Sequence, residues 1–174
     1  MKIIMLMGVP SFNNLQLAEF IKLNKYPNAS IFNRDYIKIK SQYKDLPNNS
    51  PIIDFAFIQN IKTFLQKDSK ECIILIAPFI LKESRECIYD AFPNAEFIGV
   101  WVERRREELL LNNLLQIPSL QETEQEIDYY LKYKVSPTND EPFKDIAYIT
   151  REINTGMSKK YPYVTNLETI LMRL

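Results

Sequence analysis

The sequence predicts an α/β fold, with a parallel sheet of about five strands flanked by helices and joined by right-handed crossovers. Two observations carry this. Short apolar runs recur at Ile3 to Met7, Cys72 to Ala77 and Glu96 to Val102, the pattern of strands covered on both faces. The stretches between them carry helical spacing and are punctuated by proline, asparagine and glycine.

Taken in order, strand one covers residues 2–7 and helix one residues 14–24. Leu15, Ala18 and Ile21, with Leu17 and Phe20 beside them, give that helix a wide apolar face, and Ser11 or Asn13 can cap it. Pro27-Asn28 breaks the chain, and Ala29 to Phe32 reads as a short strand ending at Asn33-Arg34-Asp35-Tyr36. Residues 37–52 are polar, with a clear loop at Pro47-Asn48-Asn49-Ser50-Pro51. A helix over 53–67 places Phe55, Ile58, Ile61 and Phe64 on one face. The strand from Cys72 stops at Pro78, and Glu83 to Phe92 is helical with Ser84 as an early cap. Pro93-Asn94 turns the chain into the strand Glu96 to Val102, and Arg104 to Gln116 is helical. Pro118-Ser119 restarts a helix to Lys134, and residues 136–142 form a loop. A last strand covers Asp145 to Thr150, residues 154–162 are irregular and basic, and Asn166 caps a terminal helix. With no repeat or linker, residues 1–174 form one domain.

Composition removes several function classes. The chain has 46% apolar and 25% charged residues, the profile of a folded protein. Lys plus Arg equals Asp plus Glu at 22 each, so no global basic field holds a nucleic-acid backbone. There is no histidine, which excludes His-dependent triads and most zinc sites, and two cysteines cannot build a four-cysteine site. Cys72 and Cys87 read as small core residues of a reducing compartment. No signal peptide and no run near the roughly 20 residues of a membrane span are present, so the expected location is cytoplasmic, with no membrane partner.

The candidate sites lie at the carboxyl ends of the strands, where such sheets bind ligands. Those ends carry Gly8, Asn33 to Asp35, Ala77 and Glu103. Strand, loop and helix at the start form the frame of the phosphate loop G-x-x-x-x-G-K-[ST]. Across Gly8, Val9, Pro10, Ser11, Phe12, Asn13, Asn14 and Leu15, only the first glycine remains. Asn13 tolerates the glycine's left-handed backbone, whereas Asn14 removes the lysine charge and Leu15 the magnesium-binding hydroxyl. Asp35 stands where a carboxylate can take a proton from an attacking hydroxyl, or can simply serve a turn or cap. Arg104, Arg105 and Arg106 at a helix start oppose the dipole and can meet an anion, unless Glu107 and Glu108 compensate them. Lys159-Lys160 with Tyr161 and Tyr163 interleaves basic and aromatic groups that can stack bases, and the bland alternative is an exposed loop. Tyr129, Tyr130 and Tyr133 have the spacing of core and rim.

MKIIMLMGVPSFNNLQLAEFI followed by IFNRDYIK resembles the P-loop kinases of the bacteriophage polynucleotide 5′-kinase type. That resemblance implies a P-loop kinase-like three-layer sandwich. It also implies Asp35 as general base and Lys38 near a substrate-phosphate arginine, and Arg34, Lys38 and Arg85 are candidates to meet a substrate or anion. CIILIAPFILKESRECI is similar to the family's third-strand segment, with Ser84 and Arg85 matching, but Ile76 replaces the strand-end acid and Phe79 the asparagine. FIGVWVERRREELLLNNLLQI resembles the fourth strand and lid helix, with Asn112 and Gln116 in place of lid arginines. Pro137, Glu141, Phe143 and Asp145 match the approach to the fifth strand. Phosphate charge, magnesium and transition-state charge are distinct parts of one machine, and their ligands are missing together. The expectation is therefore a catalytically degenerate kinase-like protein with no cofactor, acting by binding a protein, nucleotide or nucleic-acid partner. The alternative is an active polynucleotide or nucleoside kinase using ATP and Mg²⁺.

Overall fold

A computed structural model describes residues 1–8, 12–39, 42–43, 45–47, 50–113, 124–149, 171 and 174, with the side chains of Phe12, Asn13, Lys38, Asn112 and Asn113 left undescribed. Five parallel strands stand in the order β2-β3-β1-β4-β5, the sheet that the apolar runs predict. They are β1 (Lys2–Gly8), β2 (Ser30–Asn33), β3 (Cys72–Ile76), β4 (Glu96–Val102) and β5 (Phe143–Ile149). The helices are α1 (Phe12–Asn24), α2 (Asp35–Ile39), α3 (Pro51–Lys67), α4 (Lys82–Ala91), α5 (Arg106–Asn113) and α6 (Glu124–Tyr133).

Strand alternation divides the core into two layers. From β1, Ile4 and Leu6 pack on Leu17, Ala18 and Ile21 of α1. Ile3, Met5 and Met7 face the other way, onto Ile53, Phe57 and Ile61 of α3 and Ile88 of α4. A third cluster, of Ile80, Leu109, Ile127 and Tyr130, joins α5 and α6 to the segment after β3. Tyr130 is thus core, and Tyr133 is exposed rim.

Several expectations need correction. α1 begins at Phe12, so Asn13 lies inside it and does not cap it. The polar stretch after β2 carries α2, and α3 begins at Pro51, whose locked φ suits a first helical position. α3 buries Ile53, Phe57 and Ile61, while Phe55 is exposed. Apolar residues lie nearly all around this helix, so spacing alone does not choose its inner face. Ser84 does not cap α4; its hydroxyl donates to the Leu81 carbonyl at 2.8 Å from within the first turn. α5 starts two residues later than expected, leaving Arg104 and Arg105 in the turn before it. Cys87 is exposed rather than core, whereas burial pushes the Cys72 thiol up to about 11. The expected helix over 166–174 and the basic stretch 154–162 lie outside the described residues, apart from Leu171 and Leu174.

Candidate functional site

At the carboxyl edge of the sheet two neighbouring places are built differently. The first lies between β1 and β4. Gly8 ends β1 at φ +125, and a Cβ there would stand 2.4 Å from the Val102 carbonyl oxygen, so only glycine fits. Its N–H donates to the Pro78 carbonyl at 2.9 Å, which ties the end of β1 to the segment after β3. Val9, Pro10 and Ser11 lie outside the described residues; Phe12 and Asn13 open α1. Asn14, in the first turn, is 2% exposed, and Leu15 packs against the core layer beneath α1. Arg104, 7% exposed, turns back from the end of β4, and its Nη2 donates to Asn14 Oδ1 at 3.3 Å.

The second place lies beyond β2 and β3. A cleft of about 90 Å³ is lined by Arg34, Asp54, Phe79, Ser84, Tyr129 and Tyr130 among others. Arg34 is held by its backbone N–H to the Ile76 carbonyl at 2.9 Å. Its buried guanidinium pairs with Asp54 and reaches the Ser50 carbonyl at 3.3 Å. Phe79 has φ 45, a left-handed backbone that bulky residues avoid. Arg85 holds it there, donating from Nη1 to the Phe79 carbonyl at 2.8 Å and the Val135 carbonyl at 3.0 Å.

Arg85, expected to face a substrate anion, is fully buried. Its Nε and Nη2 each bond a Glu141 carboxylate oxygen at 2.7 Å, a bidentate pair. Burial pushes the Glu141 carboxyl up, but the bonds from Arg85, Tyr89 and the Thr138 N–H outweigh it and hold the group below its ordinary value. Burial, then the Glu141 bond, raises the Tyr89 hydroxyl.

The three consecutive arginines go three ways. Arg104 turns inward, Arg105 is exposed, and Arg106 lies on the surface bonded to Asp128 at 2.6 Å and Glu124 at 2.9 Å. The compensating acids for Arg106 come from α6, not from the adjacent Glu107 and Glu108. Glu103 accepts from Trp101 Nε1 at 2.8 Å and pairs with Lys134. Asp35 opens α2, its N–H bonded to Asn33 Oδ1 at 3.0 Å in an Asx turn, and it does not line the cleft. Nothing is described of the Lys38 and Asn112 side chains, and Gln116 lies outside the described residues. The carboxylate that does line the cleft is Asp54. Sequence reading passes over it because acids are ordinary in a first helical turn.

Magnesium in this frame needs a loop hydroxyl and a strand-end acid. Leu15 offers no oxygen and Ile76 is buried and apolar, so the residues present do not fit the ion. Among the described residues no group of three acidic or cysteine side chains gathers closely enough to hold a metal, and no helix is long and apolar enough to cross a membrane.

No protein-family model matches the chain, and no curated protein matches its sequence. Solved structures do. Chaetomium thermophilum Kti12, solved with ADP-AlF3, superposes with a TM-score of 0.63 at 12% identity, covering 98% of both chains. A gluconokinase from Sinorhizobium meliloti 1021 gives 0.61 at 12% identity over 85% of this chain and 81% of its own. A sugar kinase from Janibacter sp. HTCC2649 gives 0.59 at 10% identity over 84% of each. At these identities the likeness is one of architecture, and the fold of this chain is that of the P-loop kinases.

Proposed function

We propose that this chain is a P-loop kinase-like protein that no longer transfers phosphate and works by binding a partner. The observation that carries this reading is Leu15. At the position where the frame requires a hydroxyl on magnesium, its partly buried side chain packs against the core beneath α1. A leucine side chain brings no oxygen to an ion, and the partly buried Leu15 would have to give up its apolar contacts with the core to move. The buried Ile76 at the end of β3 and the neutral Asn14 support the same reading from two further positions. A protein, a nucleotide or a nucleic-acid end are the partner classes the sheet mouth suits.

Radiolabelled ATP incubated with 5′-hydroxyl DNA and RNA tests this. The expected result is no transfer at high protein concentration, with Asp35→Asn at the same background. Transfer that Asp35→Asn abolishes would show an active polynucleotide kinase using Asp35 as base, and the binding reading would be given up.

A further inference from the structure

The cleft beyond β2 and β3 combines a wall of rings with a polar corner that carries no net charge. Phe79, Tyr129 and Tyr130 form the wall. A bulky residue leaves a backbone at φ 45 unless it is held, and the buried Arg85 holds Phe79 there through its carbonyl. Tyr129 meets Tyr130 edge to face with 6.0 Å between ring centroids, a geometry in which aromatic rings attract. Arg34, Asp54 and Ser84 form the polar corner. Arg34 is buried, with Nε on Asp54 and Nη2 on the Ser50 carbonyl, so its charge is offset by the Asp54 carboxylate. Asp54 gives Oδ1 to that pair, and among the described residues nothing donates to its Oδ2. Ser84 directs its hydroxyl proton to the Leu81 carbonyl at 2.8 Å, so its oxygen is left to accept.

We infer that this cleft is a binding site for one small uncharged ring bearing an O–H or N–H donor, the class of phenols and indoles. This deepens the reading above and rests on it for the role of binding. Each limit of the class has a physical cause. Two acceptors, Asp54 Oδ2 and Ser84 Oγ, call for a ligand that donates. An anion meets the Asp54 carboxylate and a cation meets the Arg34 guanidinium, each a like charge at close range, so an uncharged ligand is preferred. Size sets the last limit. An apolar cavity of about 150 Å³ takes one benzene ring. A cleft of about 90 Å³, with the partly exposed Asp54 in its lining, seats one ring whose far edge stays in solvent, and it leaves no room for a whole nucleotide.

The test is saturation-transfer NMR and calorimetry on the intact chain. p-Cresol and indole serve as donor rings, toluene as the ring without a donor, and benzoate and benzylamine as charged rings. p-Cresol and indole are expected to bind and to displace each other. Toluene is expected to bind about tenfold more weakly than p-cresol, the loss of one hydrogen bond to a charged acceptor. Benzoate and benzylamine are expected to bind more weakly still. Asp54→Asn leaves the Arg34 charge without its carboxylate, so it is expected to weaken p-cresol and to admit benzoate. Ser84→Ala is expected to weaken p-cresol by about three- to tenfold. Phe79→Gly suits the backbone at φ 45 and removes part of the wall, so p-cresol and toluene should lose affinity together. Far-UV circular dichroism checks folding, and should Phe79→Gly unfold, Asp54→Asn and Ser84→Ala decide. The inference is overturned when wild type binds neither p-cresol nor indole, or binds toluene within twofold of p-cresol. It is equally overturned when wild type binds benzoate or benzylamine as tightly as p-cresol, or when folded Asp54→Asn and Ser84→Ala both bind p-cresol within twofold of wild type. Each of these outcomes leaves the loss-of-transfer reading standing, and phosphate transfer to DNA or RNA overturns that earlier reading alone.

Discussion

The two places at the sheet's carboxyl edge use arginine in opposite ways. Beyond β2 and β3, Arg85 and Arg34 are joined to carboxylates, Glu141 and Asp54, and serve the walls of the cleft. Between β1 and β4, Arg104 is hydrogen-bonded to the neutral side chain of Asn14. An arginine bonded to a buried carboxylate is committed to holding the walls of the cleft, whereas the bond from Arg104 to Asn14 ties the end of β4 to the first turn of α1. Three residues alike in sequence, Arg34, Arg85 and Arg104, thus join different pairs of elements.

The sharpest way to break the contrast is Arg85→Met. It leaves the Glu141 carboxylate buried without its partner and frees the Phe79 and Val135 carbonyls, and about 3–5 kcal/mol of stability should be lost in urea unfolding. An effect under about 1 kcal/mol would show that the pair is dispensable. On the other side, Gly8→Ala sets a methyl group 2.4 Å from the Val102 carbonyl at φ +125. The expected loss is about 2–3 kcal/mol, read from the same unfolding curves.

Acid probes the cleft walls without mutation. Glu141 has its folded-state carboxyl lowered despite burial, so its contribution is present above the ordinary value of 4.5 and disappears as pH falls through the lowered one. Asp140, held at about 2 by Lys82 and Thr138, loses its contribution between its ordinary 3.8 and that value. The urea midpoint should therefore stay level from neutrality to about pH 5 and then fall, and Glu141→Gln should flatten part of that fall. A midpoint that rises on acidification would contradict the assignment.

Asp54→Asn removes the carboxylate from Arg34 but leaves an acceptor, and Asp54 is partly solvated, so about 1 kcal/mol is expected. Smallest of all is Arg106→Ala. Its bonds to Asp128 and Glu124 lie in solvent, and the midpoint should not move beyond experimental scatter.

Much of the fold was legible in the chain because buried parallel strands have a strong local signature. The reading of β4 at Glu96 to Val102 matches the structure in both boundaries, since an apolar run bounded by Pro93-Asn94 and Glu103 admits few alternatives. The inner face of α3 was not legible, because that helix is apolar on more than one side. Asp54 gave no signal, while Asp35, offered either as a base or as part of a turn or cap, sits in an Asx turn and does not line the cleft.

By itself, then, the sequence determined the order of the strands, the loop frame at Gly8, and the absence of a lysine at position 14 and of a hydroxyl at position 15. Those are properties of single positions and of local periodicity. Only the tertiary structure decided which arginine meets a carboxylate, which meets Asn14, and which faces water. Arg104, Arg105 and Arg106 are neighbours in the chain and indistinguishable by type. What separates them is the pairing of Gly8 with Val102, a contact across nearly a hundred residues that turns Arg104 inward beside α1 and leaves Arg106 to the acids of α6.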